Sequence, residues 1–232
     1  MDLPILYEDA ELVAVAKPAG VMTHADGRSS DETVETWFKR RYPEVVLERP
    51  YVHRLDRETS GVLVFAKTES AYEFLRKAFH DRQVRKTYLA IVYGVPREKE
   101  GVIDFDIGRS RKDFRLRSAQ PKAKGRLRDA LTRYTVEGEA VEDSERYTLL
   151  EVRPETGRTH QIRVHLKAIH HPIVCDSLYA PHHKPALGMQ RLALHAYKLD
   201  LPLPFGGRAE IVAPAPTDFS AALAAFSHTF YH

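Results

Sequence analysis

Short apolar segments rich in β-branched residues recur along this 232-residue chain, and helical patterns do not alternate with them regularly. The clearest segment, residues 61–67 (GVLVFAK), predicts a buried strand. A doubly wound parallel sheet requires regular alternation of strands and helices, so the pattern argues against that fold. We therefore expect an α+β protein with a mixed, mainly antiparallel central sheet and flanking helices.

Three helix starts are predicted from capping residues. Ser29 and Glu32 have capping-box spacing before an apolar i, i+3, i+4 pattern. Thr68 is placed to cap a helix over residues 69–82. Thr159 precedes a third helical pattern and is the expected cap there.

The length and composition predict one domain, residues 1–232, with a substantial core. Cys175 is the single cysteine, which excludes an intrachain disulfide and suits a reducing cytoplasm. The first residues carry acids where a secretory signal would carry bases. We therefore expect a cytoplasmic protein. We expect a monomer because no apolar stripe is left uncommitted.

Positive charge is concentrated in one segment. Residues 109–128 hold nine Lys or Arg residues and one Asp, whereas the whole chain has a net charge of only +3. The segment shows no periodicity, so we expect a loop. A patch of this kind favours a polyanionic partner such as RNA, although a merely solvated loop is the alternative.

A polar cluster directly precedes the predicted buried strand. In residues 53–61 (HRLDRETSG), Asp56 lies among cations and hydroxyl groups that favour its ionised form. An ionised, positioned carboxylate can act as nucleophile or general base. The alternative is an aspartate that caps a turn and pairs with an arginine.

A second polar cluster precedes the third predicted helix. Residues 155–163 (ETGRTHQIR) end on Arg163, which could reach a carboxylate or phosphate, or form an ordinary surface ion pair. The chain has neither a P-loop nor a Rossmann glycine motif, and no HExxH motif. We therefore expect neither a nucleotide cofactor nor a metal site.

The sequence HRLDRETSGVLVFAKT at residues 53–68 closely resembles the signature loop of the RluA-type pseudouridine synthases. The resemblance continues over almost the whole chain. It includes KPAGV at residues 17–21, KTY at residues 86–88, GRTHQIR at residues 157–163, and HPI from residue 171, and it continues at Asp176 and Tyr179. The compact length is similar to the branch that modifies large-subunit rRNA, tRNA or both without an S4 domain.

The resemblance implies the pseudouridine synthase fold, with a central cleft, and isomerisation of uridine in structured RNA to pseudouridine. No cofactor is implied, because nothing is added or lost. Asp56 matches the essential carboxylate, although sugar attack, base attack and proton removal all stay open. Tyr88 matches the aromatic residue on the target ring, and Arg163 matches the basic partner of the catalytic aspartate.

The target uridine must leave its stack to be reached, and Arg54 matches the residue that braces the vacated space. The basic segment is interpreted as an RNA-contacting insertion that binds phosphates. The predicted RNA-binding residues are His53, Arg54, Arg57, Arg115, Arg117, Lys122 and Lys124.

Two alternatives remain at this stage. One is a catalytically inert RNA-binding protein on the same fold, against which the presence of Asp56 argues. The other is a hydrolase or lyase that acts on a nucleoside bond and would release free uracil.

Overall fold

The computed structural model describes residues 1–25, 27, 31–111, 116–119 and 123–226. In chain order its elements are β1 (Ile5–Glu8), β2 (Leu12–Lys17), α1 (Val34–Arg41), β3 (Ser60–Ala66), α2 (Glu69–His80), β4 (Arg85–Tyr93), β5 (Glu100–Asp104), β6 (Ile107–Ser110), β7 (Arg117–Ala119), β8 (Ala123–Arg128), β9 (Leu131–Glu142), β10 (Glu145–Pro154), α3 (Gln161–Ala168), β11 (Leu194–Pro202), β12 (Arg208–Val212) and α4 (Thr217–Leu223). Strands predominate and their described pairings are antiparallel, so the α+β prediction is confirmed.

The chain divides into two compact units. Unit 1 comprises Met1–Lys86 and Ala196–Pro214, and unit 2 comprises Thr87–His195 and Ala215–His232. Within the described ranges, no helix is both long and apolar enough to cross a membrane.

Unit 1 is built on β3, which is buried along its whole length, as its unbroken apolar sequence predicts. Antiparallel pairing with β2 aligns Leu12 with Ala66 and Lys17 with Gly61. Helix α2 packs its apolar side, which includes Leu75, against this sheet. The Thr68 side chain accepts a bond from the backbone N–H of the third helical residue, as predicted.

Gly61, the second residue of β3, lies against the backbone of Ala196 and leaves no room for a side chain. Its φ is +127°, and a Cβ atom placed there would lie 2.2 Å from the carbonyl oxygen of Ala196. A larger residue would displace the backbone directly after the loop that carries Asp56.

The capping prediction for α1 was wrong in position. Thr33 caps the helix, because its hydroxyl accepts a bond from the Thr36 backbone and the Thr36 hydroxyl accepts one from Thr33. The predicted cap Ser29 lies outside the described residues.

Unit 2 contains the antiparallel strand order β4-β10-β9-β5. The long β9–β10 hairpin turns at Asp143 and Ser144, which both have positive φ, as a tight hairpin turn of matching twist requires. Helix α3 is buried at every residue from Gln161 to Leu166.

The basic segment is not the predicted loop. Its described residues form most of a second antiparallel sheet in unit 2, β7-β6-β8, which we call the basic sheet. Ile107 and Ala119 pack with Val164 of α3, and this buried contact explains why a polar sequence is ordered here. Few apolar residues make this contact, so the sequence carries no periodic signal of it.

Candidate active site

Asp56 lies in the connection between α1 and β3, on a turn closed by a 3.1 Å bond from the Thr59 backbone N–H to the Asp56 carbonyl. Leu55 on one side is buried, Arg57 on the other is exposed, and Asp56 itself is partly buried. Arg54 is exposed. The turn thus carries a carboxylate between an anchored residue and a solvent-facing one.

Thr23 anchors the chain immediately before Asp56. Its hydroxyl accepts a 3.2 Å bond from the Leu55 backbone N–H and donates a 3.1 Å bond to the Leu55 carbonyl. Both residues are at least 95% buried. Because both backbone groups of Leu55 are fixed, the position of the next residue, Asp56, is restricted.

Lys17 anchors the chain immediately after Asp56. Its side chain is 1% exposed, and its ammonium donates to the carbonyls of Pro18, Val21 and Arg57 at 2.8, 2.6 and 3.0 Å. The Gly20 backbone N–H also donates to the Arg57 carbonyl at 2.9 Å. The KPAGV segment therefore holds the Asp56 turn in place within unit 1, and we call Lys17 and Thr23 together the clamp of this turn.

His53 supports the same turn. Its Nε2 accepts a 3.1 Å bond from the Val64 backbone N–H, and its ring stacks on Phe79 at 4.8 Å. Burial, with a smaller effect of the Lys86 charge, lowers the pKa of His53 to about 3. His53 is therefore neutral at physiological pH and cannot offer a phosphate a positive charge.

In unit 2, Tyr88 lies on β4 opposite Val152 of β10. Its neighbours Thr87 and Leu89 are buried, whereas Tyr88 is partly exposed. Since successive side chains of a strand alternate in direction, Tyr88 points to the other face of the sheet from those two.

Arg163 is a buried residue of α3 with a described partner in its own unit. Its Nε and Nη2 donate to the two carboxylate oxygens of Asp176 at 2.8 and 2.7 Å. The side chains are 4% and 0% exposed. This bidentate geometry fixes both the position and the plane of the guanidinium.

The start of α3 differs from the prediction. His160, not Thr159, is the N-cap residue, with a left-handed φ of +57° and no side-chain cap bond. Gln161 fixes the preceding turn instead, because its Oε1 accepts bonds from Thr156 Oγ1 at 2.7 Å and the Arg158 backbone at 3.0 Å.

Three cations face one another across the basic sheet. Arg109 of β6 is opposite Arg117 of β7 on one side and Lys124 of β8 on the other. Directly opposite residues share a face with Cβ atoms about 5 Å apart, and like charges at that spacing repel. None of the three forms an ion pair among the residues that the structure describes. Arg115 and Lys122 lie outside the described residues.

Histidine, cysteine and carboxylate side chains do not gather into a possible metal site anywhere in the described ranges. Cys175 is partly buried, and burial raises the pKa of its thiol.

Comparison with known proteins identifies the family. The model described as RNA pseudouridylate synthase matches residues 11–168. The dual-specificity RNA pseudouridine synthase RluA of Escherichia coli is 36% identical over 219 residues, which are 94% of each chain. An uncharacterized RNA pseudouridine synthase of Mycobacterium bovis is 42% identical over 229 residues, covering 95% of this chain and 72% of that one.

A solved structure agrees with these sequence relationships. Human RNA pseudouridylate synthase domain containing 1 superposes with a TM-score of 0.78 at 27% identity, covering 97% of this chain and 88% of that one. The chain belongs to the RNA pseudouridylate synthase family.

Sequence reasoning predicted Asp56, Tyr88 and Arg163 as site residues but missed the residues that hold two of them in place. Lys17 and Asp176 were noted only as parts of matching motifs, and Thr23 was not noted at all. A lysine and an aspartate inside apolar runs, AVAKP and IVCDS, were the available signal, because buried charges are rarely tolerated without a partner.

Proposed function

We propose that this protein isomerises specific uridines in structured RNA to pseudouridine. The observation that carries the proposal is the family match over residues 11–168, which includes Asp56, Tyr88 and Arg163. The N-glycosidic bond of the target breaks, the uracil turns, and a C–C glycosidic bond forms. No atom is gained or lost, so the reaction needs no cofactor.

Asp56 is proposed as the essential carboxylate. The clamp by Lys17 and Thr23 supports this role, since both bind backbone groups next to Asp56 and so fix where its side chain starts. A carboxylate held in this way can attack the sugar, attack the base, or remove a sugar proton.

Tyr88 and Arg163 are proposed to act on the same uridine. Tyr88 offers a flat apolar face and one hydroxyl, which suit a base that must turn during the reaction. Arg163, which binds Asp176 through Nε and Nη2, is proposed as the basic partner of the catalytic aspartate, as the family resemblance implies.

RNA binding is proposed to involve the exposed Arg54 and Arg57 beside Asp56, and the basic sheet. Flipping a uridine out of its stack costs a few kcal/mol, and the planar guanidinium of Arg54 can stack in the vacated space. The facing cations Arg109, Arg117 and Lys124 support phosphate binding, because an anion between them would relieve their repulsion. His53 is proposed to contact RNA through its neutral ring and not through a positive charge.

The substrates are proposed to be ribosomal RNA, transfer RNA or both, which places the activity in the cytoplasm. Both units are assigned to a single catalytic domain that works as a monomer. A relative from Borreliella burgdorferi, 35% identical over 206 residues, is named as a ribosomal large subunit pseudouridine synthase, which supports ribosomal RNA. The name of RluA, a dual-specificity enzyme, supports more than one RNA target.

The test is incubation of the purified protein with transcribed rRNA and tRNA. Carbodiimide labelling with reverse-transcription stops detects pseudouridine, and chromatography of the supernatant detects free base. We expect stops at one or a few uridines and no uracil. Release of uracil would indicate bond hydrolysis, and RNA binding without either product would indicate an inert RNA-binding protein.

A further inference from the structure

Asp176 is the buried partner of Arg163, and stability alone does not account for the pair. Both side chains are almost fully buried, and removing two charges from water costs as much as their attraction returns in many proteins. Apolar residues of similar volume would fill the same space without that cost. A fixed orientation of the guanidinium is what the charge pair provides and apolar residues cannot.

The carboxylate of Asp176 is itself held rigidly. Its Oδ1 also accepts bonds from the backbone N–H groups of Leu178 and Tyr179, each at 3.0 Å. Cys175 directly before it has a φ of +58°, which is uncommon and costly for a residue other than glycine. The chain thus adopts a strained turn that aims the carboxylate at Arg163.

Tyr179 completes the enclosure of Arg163. Its ring centroid lies 5.1 Å from Cζ of Arg163, within the range of a cation–π contact. Its hydroxyl accepts a 2.9 Å bond from the Arg117 backbone N–H at the start of β7. One short segment therefore contacts the guanidinium through a carboxylate and an aromatic ring, and joins it to the basic sheet.

We propose that Asp176 is a positioning residue of the isomerisation, which acts by holding Arg163 in one orientation within a frame that Tyr179 completes. This inference rests on the proposed function of Arg163. It predicts that the rate of the chemical step depends on the Asp176 carboxylate even though Asp176 itself does not touch the substrate.

The test compares Asp176→Asn with a matched control, Asp218→Asn. Asp218 binds Arg191 through the same Nε and Nη2 geometry, at 2.7 and 2.9 Å, outside the site. We expect Asp176→Asn to lower the single-turnover rate at saturating RNA about 100-fold, because a small displacement of a catalytic group costs that much. RNA affinity should stay within about threefold. Asp218→Asn should keep the wild-type rate. Measurable turnover by the wild type and by this control also tests the proposed activity separately from the role of Asp176.

A double-mutant cycle separates positioning from a purely structural role. In an Arg163→Met background, Asp176→Asn should lower the rate no further, since the group it positions is gone. A wild-type rate for folded Asp176→Asn, or independent effects of the two substitutions, would overturn the proposal. If Asp176→Asn does not fold, Asp176→Glu decides: it keeps the charge but moves it by one methylene. A drop of about tenfold supports positioning, and a wild-type rate contradicts it.

Discussion

The Asp56 turn and the Arg163 helix each present one charged group, but the two are held by different chemistry. Around Asp56, buried Lys17 and Thr23 bind the backbone on either side of the residue. At Arg163, Asp176 binds the side chain itself. A short carboxylate is positioned once its backbone is fixed, whereas a long guanidinium needs partners at its far end.

The two regions should therefore respond differently when a residue that holds them in place is replaced. The Asp56 turn depends on buried donors to carbonyl groups, so a lost donor leaves several polar atoms unsatisfied at once. At Arg163, the Asp176 carboxylate binds the far end of the side chain, so the orientation of the guanidinium can be lost while the fold survives.

Lys17→Met should have the largest effect on stability. It removes the donor to three partly buried carbonyls. The Arg57 carbonyl keeps its bond from the Gly20 backbone, and each of the other two acceptors costs about 1–3 kcal/mol when unsatisfied, before the structure relaxes. We expect a loss of about 3 kcal/mol in the free energy of unfolding, measured with urea, and a lower rate in the folded enzyme because Asp56 is displaced.

The matched control is Lys39→Met. Lys39 also donates to a carboxylate and a carbonyl, but its side chain is 46% exposed. Its replacement should change stability by less than about 0.5 kcal/mol. Equal effects of the two substitutions would show that Lys17 is not a clamp.

Neutralising the facing cations of the basic sheet should weaken RNA binding. In the triple variant Arg109→Gln, Arg117→Gln and Lys124→Gln, the slope of log affinity against log salt should fall by about two to three, since each lost phosphate contact contributes about 0.7–0.9. Filter binding at several salt concentrations measures this. The bond from the Arg117 backbone to Tyr179 remains, so turnover at saturating RNA should survive.

The control triple variant is Arg40→Gln, Arg76→Gln and Lys77→Gln. These three residues are exposed cations on α1 and α2 of unit 1. It should retain the wild-type slope. A slope that does not change when the sheet is neutralised would mean that the sheet does not contact RNA.

His53 should give the smallest effect, visible as pH dependence. Its pKa is about 3 in the folded protein against 6.5 for the free side chain, so below pH 6.5 the unfolded state binds more protons. Stability should therefore fall by about 1–2 kcal/mol between pH 7 and pH 5 through this residue alone. His53→Gln should remove that part of the loss in urea titrations at both pH values.

Exposed His182 provides the comparison for this substitution. His182→Gln should show the wild-type difference between pH 7 and pH 5. If His53→Gln shows that same difference, His53 is not held neutral by burial.

Sequence patterns predicted the local structure well where one interaction dominates. The apolar run of β3 and the cap at Thr68 are confirmed because burial and a single side-chain bond decide them. The basic sheet was missed because its order comes from contacts with α3, which lie far away in sequence. A charged strand of this kind resembles a loop when only its own residues are considered.

For the proposed site, sequence patterns indicated the candidate reactive groups but not the residues that hold them in place. Arg163 was expected to reach a carboxylate or phosphate, or to form a surface ion pair. It is buried, and its described partner Asp176 is 13 residues further along the chain. No local spacing rule connects such a pair. The role of Lys17 was hidden for the same reason, because one of its carbonyl partners belongs to Arg57, 40 residues away.

The most direct test of the account is pseudouridine mapping of total RNA from cells with and without this gene, complemented by wild type or by Asp56→Asn. We expect at least one site to disappear on deletion, to return with wild type, and to stay absent with Asp56→Asn. That variant should still bind RNA within a few-fold, because the amide has nearly the size of the carboxylate. Restoration of the site by Asp56→Asn would contradict the proposal that this carboxylate is essential for the isomerisation.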